Sequence, residues 1–188
     1  MLKATLSYDP EPRASEATPA ESVVQETTEG APRAALPGGF ADFRLMTGAA
    51  AERTEAAWLA GRKVPEGQWV GFYDQDGDEN ADLILMLRTT EGDDRLKAEK
   101  ASTSISQEFR NFFAGAKARD TTSFDAGPYG GGLSCGLTTG PAGDQAVCAW
   151  SDATTFAAIS LLRPTTIADA ATTTLALRTA AMSLHGRG

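Results

Sequence analysis

The cysteine pair constrains the fold of this chain more than any other feature. Cys135 and Cys148, the two cysteines present, stand in "GLSCGLTTGPAGDQAVCAWSD", where β-favouring residues flank a turn rich in Thr, Gly and Pro. Read as a hairpin with Cys135 opposite Cys148, the register puts Leu137 opposite Ala146 and leaves "TGPAGD" as the loop. Thiols so placed can bridge. Closing such a loop removes unfolded-chain entropy equivalent to about 3 kcal/mol, and a bridge implies an oxidising compartment. A pair of reduced core cysteines is the alternative. Zinc is disfavoured, because two thiols and the single distant His185 cannot fill four positions.

A length of 188 residues gives room for one domain with an adequate core. The net charge of -8 and the sequence pI near 4.7 argue against a nucleic-acid partner, since phosphate neutralisation needs clustered Lys and Arg. No stretch nears the roughly eighteen apolar residues of a membrane helix. The opening "MLKATLSYDPEPR" has no apolar core of a secretory signal.

Residues 1–38 are rich in Pro, Glu, Thr, Ala and Ser, which bury too little apolar surface to offset ordering entropy. This reads as a disordered acidic linker, followed by a globular domain over 39–184. Membrane association is expected only through a tether not present in this chain. Within the domain, "FADFRLMTG" reads as a strand and "AAAERTEAAWLAGRK" as a short helix, while "GQWVGFYD" and "ADLILMLRTT" form a hairpin. Ile105, Phe109, Phe112 and Phe113 give "DDRLKAEKASTSISQEFRNFFAGAKARD" the aromatic face of an amphipathic helix. "TTSFDAG", the cysteine hairpin and "TFAAISLLRP" add strands. A last helix, capped by Thr165 or Thr166, presents Ile167, Ala171, Leu175 and Met182. Hairpin-linked strands with singly inserted helices predict an α+β fold, a single antiparallel sheet covered on one face by helices.

"GPYGGGLSCG" and "VCAWSDATTFAAIS", within about residues 126–160, resemble the closing half of an uncharacterised group of actinobacterial envelope proteins. The Gly-rich turn, the two cysteines and the Trp-x-Asp after the second cysteine carry the resemblance. It implies an extracytoplasmic domain, in the cell envelope or secreted, that follows a Pro-rich tail and one membrane helix. This chain departs from the pattern in lacking that helix, and a cytoplasmic location is the alternative. No activity comes with the resemblance.

One loop offers metal chemistry. In "DQDGDENADLILML", counting Asp74 as the first position, carboxylates alternate as Asp74, Asp76 and Asp78, then Asn80 and Asp82 follow. Calcium takes about six to eight oxygens, and alternate positions of a tight loop can turn theirs inward. An EF-hand is excluded, because Glu79 stands where Gly is needed and Leu85 where a bidentate Glu is needed. The run is more similar to the calcium loops that join strands in integrin-type propeller repeats. That resemblance implies Asp74, Asp76, Asp78 and Asp82 as side-chain ligands, with Asn80 offering a carbonyl. Glu79 departs from the pattern, and one copy carries over the loop but not the propeller. The alternative is an acidic turn whose charge is relieved by Arg88 or Lys63.

Hydrolytic chemistry is poorly supplied. His185 lies near the C-terminus, where chain ends fray, and leaves a serine or cysteine nucleophile without a held base. Asp93 and Asp94 read as solvated turn residues. "GPYGGGLSCG" lacks both the Lys-Ser/Thr of a P-loop and a following helix. Trp58, Trp69 and Trp150 read as core. The expected function is a non-enzymatic extracytoplasmic binding or sensing domain, with another envelope protein or a small ligand as partner. The alternative is a calcium-stabilised structural module.

Overall fold

The computed structural model describes residues 34–61, 63–141 and 143–183. The expected linker lies outside the described residues over 1–33, as does His185. Residues 34–38, expected to belong to the linker, are packed onto the domain. Ala34 is buried, the Ala35 N–H donates to the Ala181 carbonyl at 3.2 Å, and the buried Tyr73 hydroxyl donates to the Pro37 carbonyl at 3.0 Å.

The elements run β1 (Gly39–Phe40), β2 (Phe43–Leu45), α1 (Gly48–Leu59), β3 (Gln68–Asp74), β4 (Leu83–Thr89), α2 (Asp94–Ser102), α3 (Ile105–Gly115), β5 (Arg119–Phe124), β6 (Gly132–Gly140), β7 (Gly143–Ser151), β8 (Thr155–Leu161) and α4 (Ile167–Ser183). One eight-stranded sheet has the order β1-β2-β3-β4-β8-β7-β6-β5. Every pairing is antiparallel, so the α+β class and the sheet type agree with expectation. The β3–β4 hairpin sets Phe72 opposite Ile84. In β6–β7, Cys135 faces Cys148 and Leu137 faces Ala146, and a disulfide joins the cysteines. Pairing continues to Thr139 with Asp144 and Gly140 with Gly143, so the loop is shorter than "TGPAGD". The glycines at both ends let the ladder close on a tight turn.

The helices lie on both faces of the sheet, α4 alone covering the face expected to carry them all. Leu83, Leu85, Leu87, Cys148, Trp150, Ala157 and Ile159 form one core with Leu177 and Ala181 of α4. Alternate residues of the same strands point the other way, where Val147 and Ala149 meet Phe109 and Phe113 of α3. Trp58 of α1 packs edge-to-face on Phe72 on this second face. The physical reason is the near-continuous apolar character of β4, β7 and β8, which leaves both faces needing cover. Gly132 lets α3 approach closely, since a Cβ there would lie 2.9 Å from the Phe109 ring.

The segment expected to be one amphipathic helix is two. Ser102 turns its hydroxyl back to the Ala98 carbonyl at 2.9 Å, Thr103 is extended, and Ser104 caps α3 by accepting from the Gln107 N–H. In α4 the cap is Thr166, whose hydroxyl accepts from the Asp169 N–H at 3.1 Å. This helix also carries an ion pair into the core. Arg178, fully buried, donates to Asp152 Oδ2 at 3.1 Å and to the Ala126 carbonyl at 2.6 Å, and its guanidinium lies over the Tyr129 ring. Replacing one member of a buried pair leaves the other unpaired. Arg178→Met is expected to cost about 3 kcal/mol in chemical denaturation; a loss below about 1 kcal/mol would mean that the pair does not hold α4 to the sheet.

Candidate functional site

The acidic loop joins β3 to β4, as expected, and three of its five predicted ligands come together. Asp74, Asp76 and Asp78 each offer an oxygen within 4.8 Å of the others. Asp74 organises the turn: its Oδ1 accepts from the Asp76 and Gly77 N–H groups and its Oδ2 from Glu79 N–H at 3.0 Å. Asp76 and Asp78 repeat the motif, accepting from Asp78 N–H and Asn80 N–H respectively. Left-handed backbone falls at Gly77 (φ 81°) and at Glu79 (φ 62°), the position where a calcium loop prefers Gly.

Asp82 stands apart from this cluster. Asp82 is buried, accepts from the Gln75 N–H at 2.8 Å, and pairs with Arg163. Asn80 spends its amide on the Asp78 carbonyl at 3.3 Å. The charge relief expected from Arg88 or Lys63 comes from Arg163, which also reaches Asp76 Oδ2 at 2.7 Å. Its hydrogen bond holds the Asp76 carboxyl below the usual range, and Asp76 in turn raises the Arg163 pKa. The three clustered carboxylates fit a hard cation in donor chemistry. They supply only part of the required shell, and Arg163 competes for one of them.

A second assembly was not visible in the sequence. The break between α2 and α3 leaves a cleft of about 370 Å³ over β8, walled by Leu96, Phe112 and Phe156 and rimmed by Arg88, Arg95, Glu99 and Glu108. Asp93, read as a solvated turn residue, is instead buried: it caps α2 by accepting from the Leu96 N–H at 2.8 Å and binds Arg88 Nε at 2.7 Å. Arg88 continues to Glu99 at 3.0 Å, which also takes Arg95. Beneath the cleft, Lys100 donates to Glu108 Oε2 at 2.8 Å and to Ser151 Oγ at 2.5 Å. Ser151 itself donates to the same carboxylate oxygen. Glu108 Oε1 is buried without a hydrogen-bond partner. The available signals were polar residues inside otherwise apolar patterns, Ser151 in β7 and Arg178 in α4. Their partners lie far off in sequence, so spacing could not pair them.

Phe109, Phe113 and Trp150 are core as expected, whereas Trp69 is 43% exposed. No protein family, curated protein or solved structure matches the chain.

The Arg88 hydrogen bond is the largest influence on Asp93 and lowers its pKa against the opposing effect of burial, with the Leu96 N–H adding to the lowering. A depressed folded-state value stabilises the fold above the unfolded value, about 4, and the contribution disappears as pH falls through the folded one. Asp93→Asn keeps a cap acceptor and loses the charge. It is expected to cost about 1 kcal/mol at neutral pH and progressively less at acid pH as the wild-type carboxyl takes up its proton, in urea unfolding at a neutral and an acid pH. An equal cost at both would assign the loss to the cap.

Proposed function

We propose that this chain is a non-enzymatic extracytoplasmic binding or sensing domain of a bacterial envelope protein, with another envelope protein or a small ligand as its partner. The observation that carries the reading is the Cys135–Cys148 bridge, set between two paired strands of a covered sheet. Bridges of this kind persist in oxidising compartments. Among the described residues no helix is long and apolar enough to cross a membrane, which accords with a domain attached through a separate tether. The resemblance of residues 126–160 to envelope proteins supports the same placement.

The non-enzymatic part rests on how the polar clusters are built. Ser151 has a lysine and a carboxylate at hydrogen-bond distance, the composition of an activated nucleophile. Its side chain is fully buried at the end of β7, and Lys100 is held by Glu108. A hydroxyl that substrate cannot reach serves packing and polar satisfaction. In freshly isolated protein that has been neither reduced nor alkylated, titration after denaturation is expected to find no free thiols, and two free thiols would remove the compartment argument. Replacing both cysteines by alanine is expected to cost about 3 kcal/mol.

A second reading, a calcium-stabilised structural module, is favoured by the convergence of Asp74, Asp76 and Asp78. Calcium would bind the folded state and raise its melting temperature by mass action. The rise should vanish in Asp76→Ala, Asp78→Ala and grow in Arg163→Gln, which frees Asp76 and Asp82 from their cation. Melting curves that are the same with calcium and with chelator in all three proteins would make the loop an acidic turn held by Arg163.

A further inference from the structure

The cleft between α2 and α3 has the attributes of a small-molecule site, and its chemistry specifies a ligand class. Its volume, about 370 Å³, lies toward the lower end of the usual range for such sites. Phe112 and Phe156 meet edge-to-face at 5.9 Å and give it an apolar wall. The charged groups around it balance: Arg88, Arg95 and Lys100 against Asp93, Glu99 and Glu108, tied together by the ion pairs described above. A ligand of net charge would upset that balance, and a zwitterion would not.

Two features indicate how the ligand's own charges are met. Glu108 lines the cleft with a side chain only 8% exposed, and its Oε1 lacks a donor although Oε2 takes both Lys100 and Ser151. Buried carboxylate oxygens are rarely left unpaired, and an ammonium or other N–H donor supplies what is missing. On the α2 side, Arg95 uses its Nε on Glu99, and its side chain is 85% exposed. A guanidinium carries five N–H donors, enough to hold Glu99 and still fork onto an incoming carboxylate.

We infer that this cleft binds a small zwitterion bearing an apolar group, of the α-amino acid type. The ammonium pairs with the Glu108 carboxylate at the cleft wall, the carboxylate meets Arg95, and the apolar group rests on Phe112 and Phe156. The inference rests on the small-ligand form of the function proposed above and names its site.

The test uses the full chain with its disulfide intact and L-phenylalanine as probe, followed by calorimetry and amide chemical shifts. Phenethylamine and 3-phenylpropionate, each carrying one of the two charges, serve as controls. L-phenylalanine is expected to shift amides of α2, α3 and β8 and to bind at least about tenfold more tightly than either control. Arg95→Ala should weaken it by about tenfold without altering the melting temperature of the free protein, because Arg95 lies at the surface. Glu108→Gln should also weaken it, with Arg95→Ala as the safeguard if the loss of the Lys100 partner unfolds the variant. Absence of binding at about 10 mM, shifts outside the cleft, or equal affinity for the three compounds would overturn the inference. Thiol titration of the same sample separates the two failures: an intact bridge without zwitterion binding rejects this site alone, whereas free thiols reject the extracytoplasmic reading.

Discussion

Strands β4, β8 and β7 are buried on both faces, and the remaining structure follows from that condition. A strand covered on one side can alternate apolar and polar residues, but these three must supply apolar side chains of both parities. In β7 the run Ala146–Ser151 is buried throughout, with Cys148 and Trp150 turned to α4 and Val147 and Ala149 turned to α3. Helices are therefore needed on both sides. The disulfide ties β6 to β7 beside this double-sided centre, where a slip of one residue would exchange the two faces.

Each face also encloses an ion pair, and the two differ in kind. Under α4, Arg178 and Asp152 join the helix to the turn after β7, and Asp152 further accepts from the Thr154 and Thr155 N–H groups. Arg178 is thereby held by a carboxylate, a carbonyl and an aromatic ring, while its Nε is buried without a hydrogen-bond partner. On the opposite face, Lys100, Glu108 and Ser151 share one carboxylate oxygen and leave the other without a donor. The network of Lys100, Glu108 and Ser151 adjoins the cleft, whereas the tail segment 34–38 packs near the N-terminal edge of the sheet and the end of α4.

The acidic loop shows how a dense run of carboxylates is accommodated by local means. Its backbone N–H groups are taken up by the side chains of Asp74, Asp76 and Asp78, so the negative charge organises the turn. Arg163, beyond the end of β8, then bridges Asp76 and Asp82. A cation entering the Asp74, Asp76 and Asp78 cluster would draw on oxygens that already serve the turn. That competition explains why turn chemistry and metal chemistry have the same sequence signature here.

What the sequence by itself determined is local. Alternation and turn residues specify the hairpins, and the cysteine spacing specifies their register as far as Leu137 and Ala146, because both depend on residues close in the chain. The antiparallel α+β class follows from the same hairpins. The tertiary structure decided what depends on distant partners. Helix periodicity alone would run α2 into α3, placing residues 100 and 108 about 12 Å apart along one axis. The break at Thr103 instead brings Lys100 to within 2.8 Å of Glu108, and Ser151 joins them from a strand far along the chain. Asp152 stood in the Trp-x-Asp motif, but nothing local linked it to Arg178, and nothing near the acidic loop indicated Arg163. Long-range charge pairing is set by how the sheet and helices pack, and side-chain spacing along the chain carries no record of it.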